Sequence, residues 1–208
     1  MFQKKTVLRL AFMTVFFLML SGFVIAQTSD ITLIKQRVLA ELSNTQIVDK
    51  QVEDILATMN TDGSFTGIDY ADLSTVAGFP HQRHIANLLY LSKAYQSKDS
   101  KSYHSSTIKD IIIKGLTYWV TKDFIGDNWH DNQITTPTIL GNMMLIIGSE
   151  LPKDLVEKAQ PIIGRANMNA SGARPSGDRI VIAGILAKNM LFKENLPEFE
   201  KVIKIIEG

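Results

Sequence analysis

The sequence predicts an all-α protein built of antiparallel helical hairpins. Three observations carry this. Apolar residues recur at the three-to-four-residue spacing of a helix face in eight successive runs. No segment alternates with period two for long enough to make a strand. The runs are of similar length and their long polar connections recur in alternation, the pattern of hairpins stacked in an α/α solenoid or toroid.

Taken in order, residues 1–26 stand apart from that pattern. Lys4, Lys5 and Arg9 form a basic start, Leu10 to Leu20 is apolar and uncharged, and Val24-Ile25-Ala26 suits a signal peptidase, so this stretch is read as a cleaved secretory signal. In the remaining unit, 27–208, the first helical face is Leu33, Ile34, Val38, Leu39 and Leu42, with Asp30 as an N-cap candidate. Ser43-Asn44 breaks it from the second, Ile47, Val48, Val52, Ile55, Leu56 and Met59. Asn60-Thr61-Asp62-Gly63-Ser64 is a turn, and the loop after it carries Phe65, Tyr70 and Phe79, aromatics able to pin it to the body. A third helix is predicted over Gln82 to Gln96 and a fourth over Ser106 to Lys122, where Trp119 has core spacing.

A fifth helix runs through Ile139, Leu140, Met143, Met144, Ile146 and Ile147, with Pro137 in its first turn and Thr136 as its cap. The sixth covers Lys153 to Arg165 unless Pro161 ends or bends it earlier. Ser176, Gly177 and Asp178 cap a seventh over Arg179 to Phe192, and an eighth runs from Leu196-Pro197 to Gly208. Both remain apolar to their ends, with no polar capping face, so the stretch from Ile180 to Ile206 is expected to be exposed and prone to aggregation.

Composition narrows the partners. With no Cys, stability rests on packing and no disulfide forms. Removing the leader leaves 19 basic against 21 acidic residues, a net charge of −2, unlike the dense basic surface of a nucleic-acid binder. The apolar run of the leader is shorter than the roughly 20 residues of a membrane span, and no comparable run follows, so no membrane is expected after its removal. The protein is expected to be secreted or periplasmic.

Chemistry concentrates between the fourth and fifth helices, in the GDNWHDNQITTP of Gly126 to Pro137. Asn128, Trp129, His130, Asn132 and Gln133 combine a flat apolar ring with side chains that donate and accept hydrogen bonds, which suits a sugar; the competing reading makes Trp129 a core residue at a helix start and its neighbours caps and turns. A second polar loop, Asn167 to Ser176, carries Arg174, which is either a bidentate partner for a carboxylate or sulfate or a solvated loop residue. In a stack of hairpins, loops two helices apart share a rim, so the two stretches could line one groove. Elsewhere His81 and His84 lack a third ligand for a metal, no cofactor is expected, and no nucleophile elbow is present. Asp69 and Asp72 read as turn formers more readily than as an acid–base pair.

The segments DGSF at Asp62, HIANLLYLSKAYQSKDSKSY at His84, NWHDNQITTPTILGNMMLI at Asn128 and SGARPSGD at Ser171 together resemble the N-terminal helical domain of polysaccharide lyase family 8, which includes chondroitin AC, hyaluronate and xanthan lyases. Asn128, Trp129, Ile134, Thr136, Pro137, Leu140 and Gly141 carry the most specific part. The resemblance implies an incomplete α/α toroid, followed in complete members by β-sandwich domains, and an acidic polysaccharide as partner. It implies cleavage of uronic-acid polymers by β-elimination: an Asn and a His stabilise charge on the carboxylate, and a Tyr takes the C5 proton.

The chain departs from that family in three places. His130 stands where the family has a second adjacent tryptophan, Arg174 stands where it has its catalytic Asn, and none of His81, His84, His104 or His130 lies in the family's later His/Tyr segment. The chain is therefore expected to be the front part of a lyase, without a complete catalytic set and inactive alone. The alternative is a non-catalytic helical module that binds glycans or another protein.

Overall fold

The computed structural model describes residues 30–74 and 79–207. The leader expected over residues 1–26 lies outside them, as does Gly208. Helix α1 spans residues 30–43 and is followed by α2 (Asp49–Ala57), α3 (Gln82–Gln96), α4 (Ser106–Lys122) and α5 (Thr136–Ile147). Then come α6 (Lys153–Ile163), α7 (Gly177–Phe192) and α8 (Leu196–Glu207). Among the described residues there is no strand, only an isolated antiparallel bridge between Met59 and Phe65. No helix among them is long and apolar enough to cross a membrane.

The hairpins α3–α4, α5–α6 and α7–α8 stack side by side, α3 against α5 and α5 against α7 in one layer, with α4 against α6 behind them. Hydrogen bonds at both ends show that α3 and α5 run in the same direction. At their starts Gln82 donates to Asp131, and at their ends Gln96 Nε2 donates to the Ile146 carbonyl at 3.2 Å and to Glu150 at 2.9 Å. The long connections before α3, α5 and α7 therefore share one rim, and the short ones share the other. This is an arc of an α/α toroid, as the residue patterning predicts.

One apolar core joins α2 to α6, through Leu88, Leu91, Ile112, Leu116, Trp119 and Leu140 among others. The aromatics of the loop before α3 do pin it there: Phe65 and Phe79 are buried, and Tyr70 packs between Tyr118 and Phe124. A second core sets Ile31 and Ile34 of α1 against Leu145, Leu191, Phe199 and Val202, and Lys35 pairs with Glu194 at 2.8 Å. The first helix thus covers part of the α7–α8 face that the sequence leaves bare, while Ile180, Val181 and Ile206 remain exposed.

Three boundaries differ from the sequence-based expectation, the simplest being the start of the seventh helix, which lies at Gly177 and not at Arg179, so that Gly177 and Asp178 are inside it. The fifth helix does not start at a Thr136 cap. It is helical from residue 129, passes through a π-helical turn at Asp131–Thr135, and continues into α5. There the Thr136 amide reaches back to the Asp131 carbonyl, an i to i−5 bond, and Pro137 follows inside the helix. The sixth helix ends at Ile163, two residues past Pro161, which it accommodates in its last turn.

Candidate functional site

The rim of long connections brings the two predicted polar stretches together. Asn128 Oδ1 accepts the His130 amide at 3.0 Å and so caps the helix that begins at Trp129. Asp131, buried, accepts from Gln82. Asn132 uses both ends of its amide on Gly126, accepting from its N–H at 3.1 Å and donating to its carbonyl at 2.7 Å. Gln133 reaches across to the loop before α7: Nε2 donates to Ser171 Oγ at 3.0 Å, and Oε1 accepts the Gly172 amide at 3.0 Å. Behind them Arg165 pairs with Asp123.

Trp129 is half-buried against Ile134, Ala166, Ala173, Ile182 and Ile185. Its six-membered ring lies so close to Gly172 that a Cβ there would come within 2.1 Å of Cζ3. Trp129 thus starts a helix and packs on a loop, and it keeps part of its surface at the rim. The Arg174 guanidinium carbon is 6.0 Å from the ring centroid, and His130 packs edge-on at 5.6 Å. Arg174 is exposed and makes no ion pair among the described residues; His130 is exposed too, its Nδ1 3.3 Å from the Thr135 hydroxyl. A cation and an imidazole beside a partly open indole face suit a sugar ring bearing an anionic group.

The other candidates sit elsewhere. His84 is fully buried, donates from Nε2 to the Gly115 carbonyl at 2.9 Å, and accepts at Nδ1 from the Tyr70 hydroxyl at 2.8 Å. That hydroxyl in turn accepts the Phe65 amide at 2.9 Å. Burial pushes the His84 imidazole down to about 4 and the Tyr70 phenol up to about 12, so both stay neutral near neutral pH. His81 is stacked on Phe79 and donates to the Tyr70 carbonyl at 3.1 Å. His104 lies at the opposite rim, against Tyr95 and Tyr103. Asp69 and Asp72 accept the amides of Ala71 and Ser74, the turn-forming role. Among the described residues no three His, Asp or Glu side chains converge as a metal site. A cavity of about 380 Å³ lies between α1 and the far ends of α3, α5 and α7, lined by Lys35, Gln96, Met144 and Phe192, and none of the rim residues reaches it.

Three further residues shape this rim: Gln82, outside both predicted stretches, and Gly172 and Arg179, which lie in or beside the second of them without a predicted role; Arg179 Nη1 donates to the Ala173 carbonyl at 2.8 Å. Only the glycine left a local signal, in a Gly- and Pro-flanked loop.

The family model described as polysaccharide lyase family 8, N-terminal alpha-helical domain, matches residues 29–174. The chain belongs to polysaccharide lyase family 8. Chondroitinase-AC of Pedobacter heparinus is 34% identical over 136 residues, which make up 64% of this chain and 19% of that protein. Among solved structures, a chondroitinase AC lyase studied in oligosaccharide complexes superposes with a TM-score of 0.75 at 28% identity, over 85% of this chain and 26% of that one. A Paenibacillus xanthan lyase (TM-score 0.66, 14% identity, 86% of this chain and 19% of that one) shares the fold. So does the Streptomyces coelicolor A3 chondroitin AC lyase solved with chondroitin sulphate (0.64, 17%, 81% and 23%). The family 8 relatives are thus several times longer than the stretch matched here. The matched span covers the first polar stretch and the second as far as Arg174.

Proposed function

We propose that this family 8 chain supplies part of the substrate groove of a secreted polysaccharide lyase that cleaves uronic-acid polymers of the glycosaminoglycan kind by β-elimination. The observation that carries the reading is the meeting of Trp129, His130 and Arg174 at one rim, in a chain whose relatives include chondroitinases. Trp129 offers the sugar its free surface. Arg174, in place of the family's Asn, faces the carboxylate or a sulfate, and His130 and Asn128 border them. Asn132 and Gln133 shape the rim from within, since their amides are bound to the chain itself.

Elimination also needs a base for the C5 proton and a proton for the leaving oxygen. Tyr70 is held neutral and bonded to His84 beneath the rim, and His81 and His84 are buried, which supports the reading that this stretch binds substrate without completing the reaction. The test is to mix the chain with chondroitin sulphate and follow two signals. Binding by calorimetry without growth of the ultraviolet absorbance of unsaturated uronate is the expected result. Absorbance growth would overturn the claim that the chain is inactive alone, and absence of binding would overturn the groove.

A further inference from the structure

Gln133 has a task distinct from touching sugar. It sits in the π-helical turn, where an inserted residue resets the register of the helix, and its whole amide is directed at the loop before α7. Nε2 donates to Ser171 Oγ at 3.0 Å, and Oε1 accepts the Gly172 amide at 3.0 Å and lies 3.3 Å from the same serine oxygen. Gly172 is the point at which that loop touches the Trp129 ring, at a separation that leaves no room for a side chain. On the other side, Arg179 holds the Ala173 carbonyl at 2.8 Å. Residues 171–173 are therefore fixed from three directions, and Arg174 follows immediately, exposed and 6.0 Å from the ring centroid.

The geometry points to Gln133 as the positioning residue that holds Arg174 at Trp129, acting on an anionic sugar through the arginine and never contacting it. This rests on the reading that Trp129 and Arg174 bind such a sugar. The need is physical. An exposed arginine on a free loop spreads its charge over many rotamers and pays their entropy on binding, whereas a loop pinned beside the ring presents the guanidinium already in place. A primary amide suits the post because it donates to the serine oxygen and accepts the glycine N–H at once.

The test uses the whole chain and two variants: Gln133→Met, similar in length but unable to make these bonds, and Gln133→Glu, which keeps the acceptor for the Gly172 amide. Without ligand, the Gly172 amide should exchange with solvent about tenfold faster in Gln133→Met than in the parent, as expected for loss of one or two hydrogen bonds. The ring-current shift that Trp129 imposes on the Arg174 side chain should shrink as well, and Gln133→Glu should preserve both signals. If both persist in Gln133→Met, the positioning role is overturned.

With a chondroitin sulphate tetrasaccharide as probe, Gln133→Met should weaken binding about tenfold in the parent and leave an Arg174→Met background unchanged, because a residue acting through the arginine has nothing left to position. An equal loss in both backgrounds would contradict the claim. If the parent does not bind the tetrasaccharide, the proposed function fails, while the ligand-free exchange and shift still decide whether Gln133 holds the loop.

Discussion

Trp119 and Trp129 occupy successive helices, the first near the end of α4 and the second at the start of the helix that becomes α5, yet their surroundings share almost nothing. Trp119 is 0% exposed, packed among His84, Phe124 and the α3–α5 core, with its indole N–H unpartnered. Trp129 is only half-buried, with a glycine against its ring and a guanidinium and an imidazole beside it. Beside Trp119, His84 bonds inward to backbone and stays neutral near neutral pH; around Trp129 the amides and the buried Asp131 bond inward, and Arg174 and His130 are left outside. The lesson is that polar composition alone does not mark a ligand-facing residue. Of the rim's conspicuous polar stretch, Asn132 and Gln133 build the wall, and Trp129, His130 and Arg174 remain presented.

The sharpest way to break that contrast is to remove each ring. Trp119→Ala should destabilise the fold by about 3–5 kcal/mol, the usual cost of emptying a large buried site, with glycan affinity unchanged for the molecules that remain folded. Denaturant unfolding measures it, and a loss below about 1 kcal/mol would place Trp119 outside the core. Acid should act on the same region. His84 titrates at about 4 in the folded chain against 6.5 when unfolded, so the unfolded state takes up the proton first. Its contribution is fully present above pH 6.5 and is lost as pH falls toward about 4. The loss is about 3 kcal/mol, to be read from urea midpoints across that range, and His84→Phe should flatten the dependence.

At the rim the effects are smaller and fall on binding. Trp129→Ala should weaken chondroitin sulphate binding by about 1–3 kcal/mol through lost stacking area, with a smaller stability change than Trp119→Ala. Unchanged affinity with an earlier melt would make Trp129 a core residue as well. Smallest, Asn128→Ala should cost about 1 kcal/mol of stability by removing the cap on the His130 amide, a change visible by thermal melting.

Much of the fold was legible because helices declare themselves locally. The faces of α3, α4, α7 and α8 follow directly from apolar spacing, and the alternation of long and short connections placed both polar stretches on one rim. The π-helical entry into α5 was not legible. Asn128 to Gln133 have the composition of a turn, yet from Trp129 on the backbone is helical, with Asp131 bonded to Gln82 and Gln133 to Ser171 and Gly172, partners remote in sequence. For the same reason His84 gave no local sign of its place: its proton acceptor, the Gly115 carbonyl, lies on another helix. The covering of the α7–α8 face by α1 was equally hidden, since an apolar helix does not say which distant face it will meet.

That Trp129 and Arg174 together hold an anionic sugar is tested most directly by titrating isotope-labelled protein with a chondroitin sulphate tetrasaccharide and following side-chain resonances. The shifts should concentrate on the Trp129 indole, the His130 ring and the Arg174 guanidinium, with the Trp119 indole unmoved. Shifts confined to other surfaces, such as the cavity beside Lys35 and Phe192, or no shifts at all, would contradict it.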